Sequence, residues 1–369
     1  MSSKRNTANR RNNGLIRSIA WWCAVGSTVL LSLCSLATFV HPARFPFIGV
    51  YVLSYPILLL ISVLAILTAL VLRVRRWWIA LLILLCNVWT IRIYIPVNLP
   101  PKEPEAGLRV LSFNVQNFFA TKSDPQGEDT LSHYLARSGA DILCLQEAPR
   151  HDKRYFNRIW PVLREAFPYR DSLEMKSSSF LDIYSRLPII GKELVADGGS
   201  NHCMAWTLLD GKDTLYVVNC HLRSTLLSPE DKANFSGIVH DADTLSAGEK
   251  KRSSVMLLTK IAAASVERAN QVDQLCRYLE RQKGKRIILC GDFNDTPISY
   301  AHNRISAYLK DCYAATATGF GRSFNRNSML VRIDHMFCSE HYQPHNCRID
   351  QGILLSDHYP ISCTFTAKE

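Results

Sequence analysis

The sequence predicts an α/β domain over residues 106–367 behind a block of membrane helices, and three observations carry that expectation. Charge divides the chain. Residues 1–100 hold ten basic side chains and no acidic one, whereas residues 101–369 hold 33 basic against 32 acidic, so nearly all of the net charge of +11 lies in the first hundred residues. Within that block, residues 20–40 and 45–72 carry no charged side chain, and each is long enough for a helix to cross a hydrocarbon core, which takes about 20 residues. After residue 106, short apolar runs rich in β-branched residues alternate with longer amphipathic stretches, the pattern of sheets packed against helices.

A basic tail, residues 1–18, precedes a transmembrane region over 19–96 with spans expected at about 20–40, 47–72 and 77–96. Trp21, Trp22, Trp77 and Trp78 suit the aromatic belt at a membrane interface. The third span is the weakest, because only 15 residues, 77–91, precede Arg92. It crosses if Arg92 snorkels outward and Ile93, Tyr94 and Ile95 complete the helix; a two-helix hairpin followed by an interfacial helix is the alternative. The first apolar stretch is followed by two more, unlike a cleaved signal peptide, so it is expected to be retained. Five basic residues flank the first span, and Arg73, Arg75 and Arg76 separate the second from the third, against Arg44 alone between the first and second. The positive-inside rule then puts the amino terminus in the cytoplasm. With three crossings of the inner or plasma membrane the large domain lies on the periplasmic or extracytoplasmic side; with two it stays in the cytosol. Nine of the 12 cysteines lie in that domain without CxxC spacing, which argues against zinc and a thioredoxin-like site. An odd number leaves one unpaired in an exported domain, a point for the cytosol that ranks below the charge rule. Cys144, Cys220, Cys290 and Cys363 read as small buried groups within strands.

The proline-rich linker 97–105 is extended and short, and holds the domain close to the bilayer. Strands are expected at 108–113, 142–145, 180–184, 204–209, 215–219, 286–289, 332–338 and 359–365, and helices at 130–138, 153–167, 255–282 and 299–309. In the longest helix, Ile261, Val266, Ala269, Val272, Leu275, Cys276 and Leu279 are spaced for a core-facing stripe. The sequence contains no internal repeat.

Six short motifs stand at or just beyond strand ends, where loops converge on one rim: Leu111-Ser112-Phe113-Asn114, Leu145-Gln146-Glu147, Asn219-Cys220-His221-Leu222, Gly291-Asp292-Phe293-Asn294, Ile333-Asp334-His335 and Ser356-Asp357-His358. One acid or histidine at a strand end is commonplace; this order and spacing is not. In these motifs, over about residues 106–367, the chain resembles the endonuclease/exonuclease/phosphatase superfamily, which includes deoxyribonuclease I, abasic-site endonucleases, bacterial sphingomyelinases and inositol-polyphosphate 5-phosphatases. The resemblance implies a four-layer α/β sandwich, two mostly antiparallel sheets flanked by helices, here in a membrane-anchored bacterial-type member.

It also implies metal-assisted hydrolysis of phosphodiesters. That reaction needs neutralised phosphoryl charge, a deprotonated water in line with the leaving group and a stabilised leaving oxygen. Hard oxygen ligands suit Mg2+, with Mn2+ as a substitute. The resemblance makes Glu147 the leading metal ligand, helped by Asn114, with Asp357 contributing to the metal shell; Asp357 could instead cap the turn before Tyr359-Pro360. His358 is the candidate general base, with Asp334 fixing its ring. Asp292 orients the nucleophile or protonates the leaving group, and Asn294 donates to a phosphoryl oxygen. Being two apart, both face the site only if Phe293 points into the core. His221 resembles the histidine that contacts phosphate. Arg186, in a stretch that matches a common family sequence, also reads as structural, Arg268 and Gln271 are as apt to support the site as to touch substrate, all three stay outside the catalytic list, and no organic cofactor is expected.

The domain's near-zero charge argues against a non-specific grip on duplex phosphates. A membrane tether favours a phosphoester substrate at the bilayer, such as a lipid head group. A tethered nuclease acting on DNA or RNA is the alternative, and a non-catalytic binding module a lesser one, since no metal or base residue is missing. The polar stretch 223–259 is either a substrate-facing lid or a surface insertion. With Arg92 as their one intramembrane charge and no internal polar cluster, the helices read as an anchor; the membrane bilayer is the expected partner, and no protein partner is inferred.

Overall fold

Two backbone breaks shape the amino-terminal helices. The computed structural model describes residues 2–99, 104, 106–121, 127–148, 155–174, 180–199, 201–225, 247–326 and 331–368. Helix α1 (Ser2–Ala37) contains the 24-residue stretch Gly14–Ala37, the one helix among the described residues long and apolar enough to cross a membrane by itself; its position fits a membrane span or a signal sequence. The expected second span is divided at Ser54 into α2 (Ile48–Leu53) and the apolar, 17-residue α3 (Tyr55–Val71). Pro56 accounts for the restart, because proline lacks the N–H that continues a helix but fits its first turn.

The expected third span is likewise divided, into α4 (Trp77–Leu85) and α5 (Val88–Tyr94), bent by 60°. Asn87 explains the bend. Its backbone N–H donates to Leu84 O, while its Nδ2 takes Ile83 O at 2.9 Å, the carbonyl a straight helix would use for the backbone. Nδ2 also donates to Ser32 Oγ, and Ser35 Oγ donates to Asn87 Oδ1, both at 2.8 Å. The helices thus contain the internal polar cluster that the sequence did not suggest, because α1 and the α4–α5 break meet only through packing.

These segments lie side by side. Ala20 and Ala24 form one apolar layer with Ile66, Ala69 and Ala80, and Leu31, Cys34 and Ala37 form the next with Val52, Tyr55 and Tyr94. Each segment runs from one layer to the other. Ile298 of the following domain joins the second layer, so the domain sits at that end.

The domain holds two six-stranded sheets. The first has the order β11 (Tyr342–Ile349), β12 (Ile361–Ala367), β1 (Leu108–Asn114), β2 (Ile142–Ala148), β4 (Phe180–Ser185) and β3 (Tyr169–Glu174). The second has the order β5 (Ile189–Asp197), β6 (His202–Asp210), β7 (Asp213–His221), β8 (Arg286–Asp292), β10 (Asp334–Cys338) and β9 (Lys310–Asp311). Among the described residues, only the central pairs, β1 with β2 and β7 with β8, are parallel. Val110, Cys144 and Ile183 of one sheet meet Trp206, Val217 and Met336 of the other in a dry core. On the outer face of the first sheet, α6 (Gly127–Arg137), a π-helical turn (Tyr155–Ile159) and α7 (Trp160–Ala166) cover Leu111, Phe113 and Leu143. On the second, α8 (Ala247–Arg281) and α9 (Tyr300–Ser306) cover Cys220, Leu289 and Phe337. This is the four-layer sandwich.

The eight expected strands are present. Four more, β3, β5, β9 and β11, are the outermost strands of the two sheets, and a short helix, α10 (Cys312–Thr316), follows β9. Helix α8 begins at Ala247 rather than 255, taking up the end of the polar stretch 223–259. The remainder of that stretch, residues 226–246, lies outside the described residues. All nine cysteines of the domain are buried and free of disulfides.

One glycine governs how closely β7 and β8 meet. Gly291 has φ +138°, and a Cβ there would collide with the backbone carbonyl of Cys220. Gly291→Ala should therefore destabilise the domain by about 3 kcal/mol, lowering the midpoint of thermal unfolding; an unchanged midpoint would contradict this close approach.

Candidate active site

The parallel central pairs put the carboxyl ends of β1, β2, β7 and β8 at one rim, where the antiparallel β10 and β12 begin. Register then aligns the polar residues. Asn114 lies opposite Gln146, and Asp292 lies opposite both His221 and Asp334. In a regular strand Gln146 and Glu147 would face opposite sides of the sheet. A register shift between Leu145 and Ala148, and a left-handed backbone at Glu147 (φ +54°), break that alternation. Asn294 also takes a left-handed backbone (φ +50°), which asparagine tolerates better than most residues. Both conformations cost of order 1 kcal/mol and are held by their surroundings. The condition on Phe293 is met: its ring is wholly buried, stacked on Phe337 at 5.7 Å.

The structure brings the predicted residues together. Asn114 Nδ2 donates to Glu147 Oε1 at 3.1 Å and to Asp292 Oδ2 at 3.0 Å, while its Oδ1 accepts from Gln116 N. It therefore brackets two carboxylates, and would have to turn its oxygen inward to ligate a metal. His221 Nε2 faces Glu147 Oε1 at 3.6 Å and Asp292 Oδ2 at 3.8 Å. His358 Nδ1 is bonded to Asp334 Oδ2 at 2.8 Å, and its Nε2 faces Asp292 Oδ2 at 3.6 Å. The Asn294 backbone N–H donates to Asp292 Oδ1 at 2.8 Å, and its Nδ2 donates to Leu222 O. Asp357, half-buried, joins through Ser356, whose Oγ donates to Asn114 O at 2.7 Å and accepts from His358 N at 3.2 Å.

Several supports were not legible in the sequence. Gln146 Nε2 donates to Asn219 Oδ1 at 2.6 Å, and Asn219 Nδ2 donates to Leu145 O and Asp182 O, so two buried amides tie the sheets together beneath the site. Both residues stand in the motifs, a signal that could have marked them. Ser323 Oγ accepts the backbone N–H of Asp334, and Phe324 packs edge-on against the His358 ring at 5.2 Å. Nothing in their local sequence marks those two. Arg268, open between support and substrate contact in the sequence, holds Asp295 through Nε at 3.1 Å.

Burial alone would discharge His358, but Asp334 and Asp292, with Asp357 beyond them, outweigh it and push the ring up to about 10. Burial likewise raises the Asp334 carboxyl; with three carboxylates around the ring, the pair is best assigned as imidazolium and carboxylate. Asp292, Asp334 and His358 offer atoms within 4.8 Å of one another, the spacing of a ligand set. The 2.8 Å bond nevertheless marks Asp334 as the orienting partner of His358. The atoms facing each other across 3.6 to 3.8 Å, from Glu147, Asp292, His221 and His358, make no direct hydrogen bonds with one another. Glu147 and Asp292 supply hard oxygen donors there of the kind a divalent cation takes.

Residues 111–358 match the Endonuclease/Exonuclease/phosphatase family, and the chain belongs to it. It is accordingly a phosphoester hydrolase, in a family whose enzymes generally depend on divalent metals. Residues 17–94 match a domain of unknown function. Similar solved structures include an endonuclease/exonuclease/phosphatase family protein from Bacteroides thetaiotaomicron (16% identity, TM-score 0.49, covering 72% of this chain and 100% of that one). The human Nocturnin catalytic domain with bound sulfate has 16% identity and a TM-score of 0.48, covering 74% of this chain and 96% of that one. A mannosyl-6-phosphatase of Bacteroides thetaiotaomicron has 18% identity and a TM-score of 0.45, covering 70% and 99%. No curated protein matches the chain.

Glu147→Ala, Asp292→Ala and His358→Ala should each lower turnover by roughly two orders of magnitude or more while leaving the unfolding transition in place. Undiminished turnover in all three would remove the site assignment. In the metal-free protein, the His358 ring should titrate near pH 10 by imidazole NMR. Because its folded value is raised, its contribution to stability is complete below its ordinary value of 6.5 and is lost as pH rises through about 10. Titration at 6.5 would show that Asp334 and Asp292 do not govern the ring.

Proposed function

We propose that the protein is a membrane-anchored, divalent-metal-dependent phosphodiesterase whose substrate is a phosphodiester head group at the bilayer surface. The observation that carries this reading is a segment joining the helices to the site. At one end Phe320 packs edge-on against Tyr94 at the close of α5 (6.1 Å), and Gly319 N donates to Pro96 O. At the other, Phe324 packs on His358. Arg332, buried two residues before Asp334, donates to Ile93 O at 2.7 Å and to Phe320 O at 3.3 Å. The catalytic rim thus stands one loop from the end of the helices.

The two stacked apolar layers support three passes through one membrane, with α2–α3 and α4–α5 as interrupted spans. Residues 1–18 are then the cytoplasmic tail, 19–96 the membrane region and 97–105 the linker. The distribution of basic residues between the loops supports an extracytoplasmic side for the domain over 106–367.

A divalent ion bound by Glu147 and Asp357, with Asn114 turned inward, would supply charge neutralisation at the phosphoryl group. The chain's own residues do the rest. His221 Nε2 faces the same opening and can donate to a phosphoryl oxygen, and Asn294 Nδ2 has a second hydrogen for the same task. While Asp292 faces His358 Nε2, the imidazolium is the stable form, and Asp292 is the group placed to take a proton from water. His358 becomes the base of the sequence reading once Asp292 is paired with another positive charge. Asp334 holds the ring in either case.

The test is Mg2+-dependent hydrolysis by the full chain in vesicles of phosphodiester lipids, beside plasmid DNA, with Glu147→Ala as the blank. The full chain is needed because Arg332 bonds to Ile93. Lipid turnover absent from the variant is the expected result. DNA nicking absent from the variant, with lipid untouched, would make the protein a tethered nuclease.

A further inference from the structure

The α1–α2 loop and the first turn of α2 meet α8 at two separated places. Gly49 lies so close to Ser265 that a Cβ would not fit. His41 Nε2 lies 3.3 Å from Asp273 Oδ2, with its ring edge-on to Tyr300 at 4.9 Å. Ser265 and Asp273 are about 12 Å apart along the helix at 1.5 Å per residue. A helix that touches the end of a bundle at both points lies across that end rather than standing on it. Its continuation toward the amino terminus leaves that contact, since Val255, Met256 and Leu258 are exposed.

That continuation has an unusual surface. Val255, Met256 and Leu258 are 56%, 45% and 38% exposed, although they lie on a helix whose later turns are core. Residues 252–266 include Arg252 and Lys260 and no acidic residue, in a domain whose charges nearly balance overall. Phe39, Phe45 and Phe47 of the α1–α2 loop, which also meets α8, are exposed, as an interfacial aromatic belt would be. Apolar side chains flanked by basic ones are what a helix in the head-group layer presents. A second copy of the chain would bring the same positive charge to the patch; an anionic bilayer complements it.

We propose that residues 252–261 of α8 form a second membrane contact, an interfacial helix lying in the head-group layer of an anionic bilayer beside the anchor. The proposal rests on the reading of the amino-terminal helices as membrane-spanning. The contact would also tilt the catalytic rim toward the lipid. The same helix carries Arg268, which holds Asp295, next to Asn294, and the backbone carbonyl of Arg223.

The test uses the full chain in nanodiscs of phosphatidylcholine and phosphatidylglycerol, with an environment-sensitive fluorophore on one cysteine at a time. Native Cys23 reports the anchor, Met256→Cys reports the proposed contact, and Lys212→Cys, on the β6–β7 turn, is the distant control. Exposed cysteines other than the reporter, at positions 23 and 86, are changed to serine. Spin-labelled lipid should quench Cys23 and position 256 to a similar extent and leave position 212 alone, whereas aqueous iodide should do the reverse. Iodide quenching at 256 equal to that at 212, with Cys23 still lipid-quenched, overturns the proposal and leaves the anchor standing. Protection of 256 from both quenchers that fades on dilution assigns the patch to a second copy and also overturns it. If Cys23 escapes lipid quenching, the anchor reading fails and takes the proposal with it.

Discussion

Four carboxylates, those of Glu147, Asp292, Asp334 and Asp357, converge on one rim, and two of them, Asp292 and Asp334, are 1% exposed. Gathering like charges away from water is costly unless each is met by a donor or an opposite charge. Much of the domain's polar structure answers that cost. Asn114 spans Glu147 and Asp292, the Asn294 backbone N–H meets Asp292, Ser323 holds the Asp334 backbone, and His358 is held charged between Asp334 and Asp292. The left-handed backbone at Glu147 is tolerated for the same reason, since a regular strand would carry its side chain to the face opposite Gln146. The remaining negative charge suits the site to a cation.

The helices and the domain are not two independent bodies. Arg332 spends its guanidinium on the last turn of α5 and on the segment that carries Phe320, and it stacks on Tyr313 at 4.2 Å. Asn98 adds bonds to Ala314 and Ala317 and meets Thr318. A buried arginine deprived of its carbonyl acceptors would carry an unpaired charge two residues from Asp334. Removing the helices therefore disturbs the site itself and does more than release the domain from a surface.

The central strands could be read from sequence because they are buried on both faces and so run apolar without interruption. The four that could not, β3, β5, β9 and β11, are all edges. Edge strands face water along one side and carry charge there, as Arg170 and Asp171 do on β3 and Lys192 and Glu193 on β5, which erases the apolar signal. The breaks at Ser54 and Asn87 were hidden for a different reason. Hydropathy averages over a segment, whereas a proline at a helix start or one asparagine bonded to a neighbouring helix acts at a single residue.

The sequence by itself determined the order of the chemical groups, the division of charge between the two halves and the family to which the chain belongs, because these depend on residue types and their spacing along the chain. Only the tertiary structure decided that Asn114 brackets two carboxylates, that Phe324 rests on His358, that Gln146 meets Asn219 across the two sheets, and that α8 lies across the ends of the helices. Each of these joins residues tens or hundreds of positions apart, and such contacts are set by how sheets and helices pack, which no local pattern of side chains encodes.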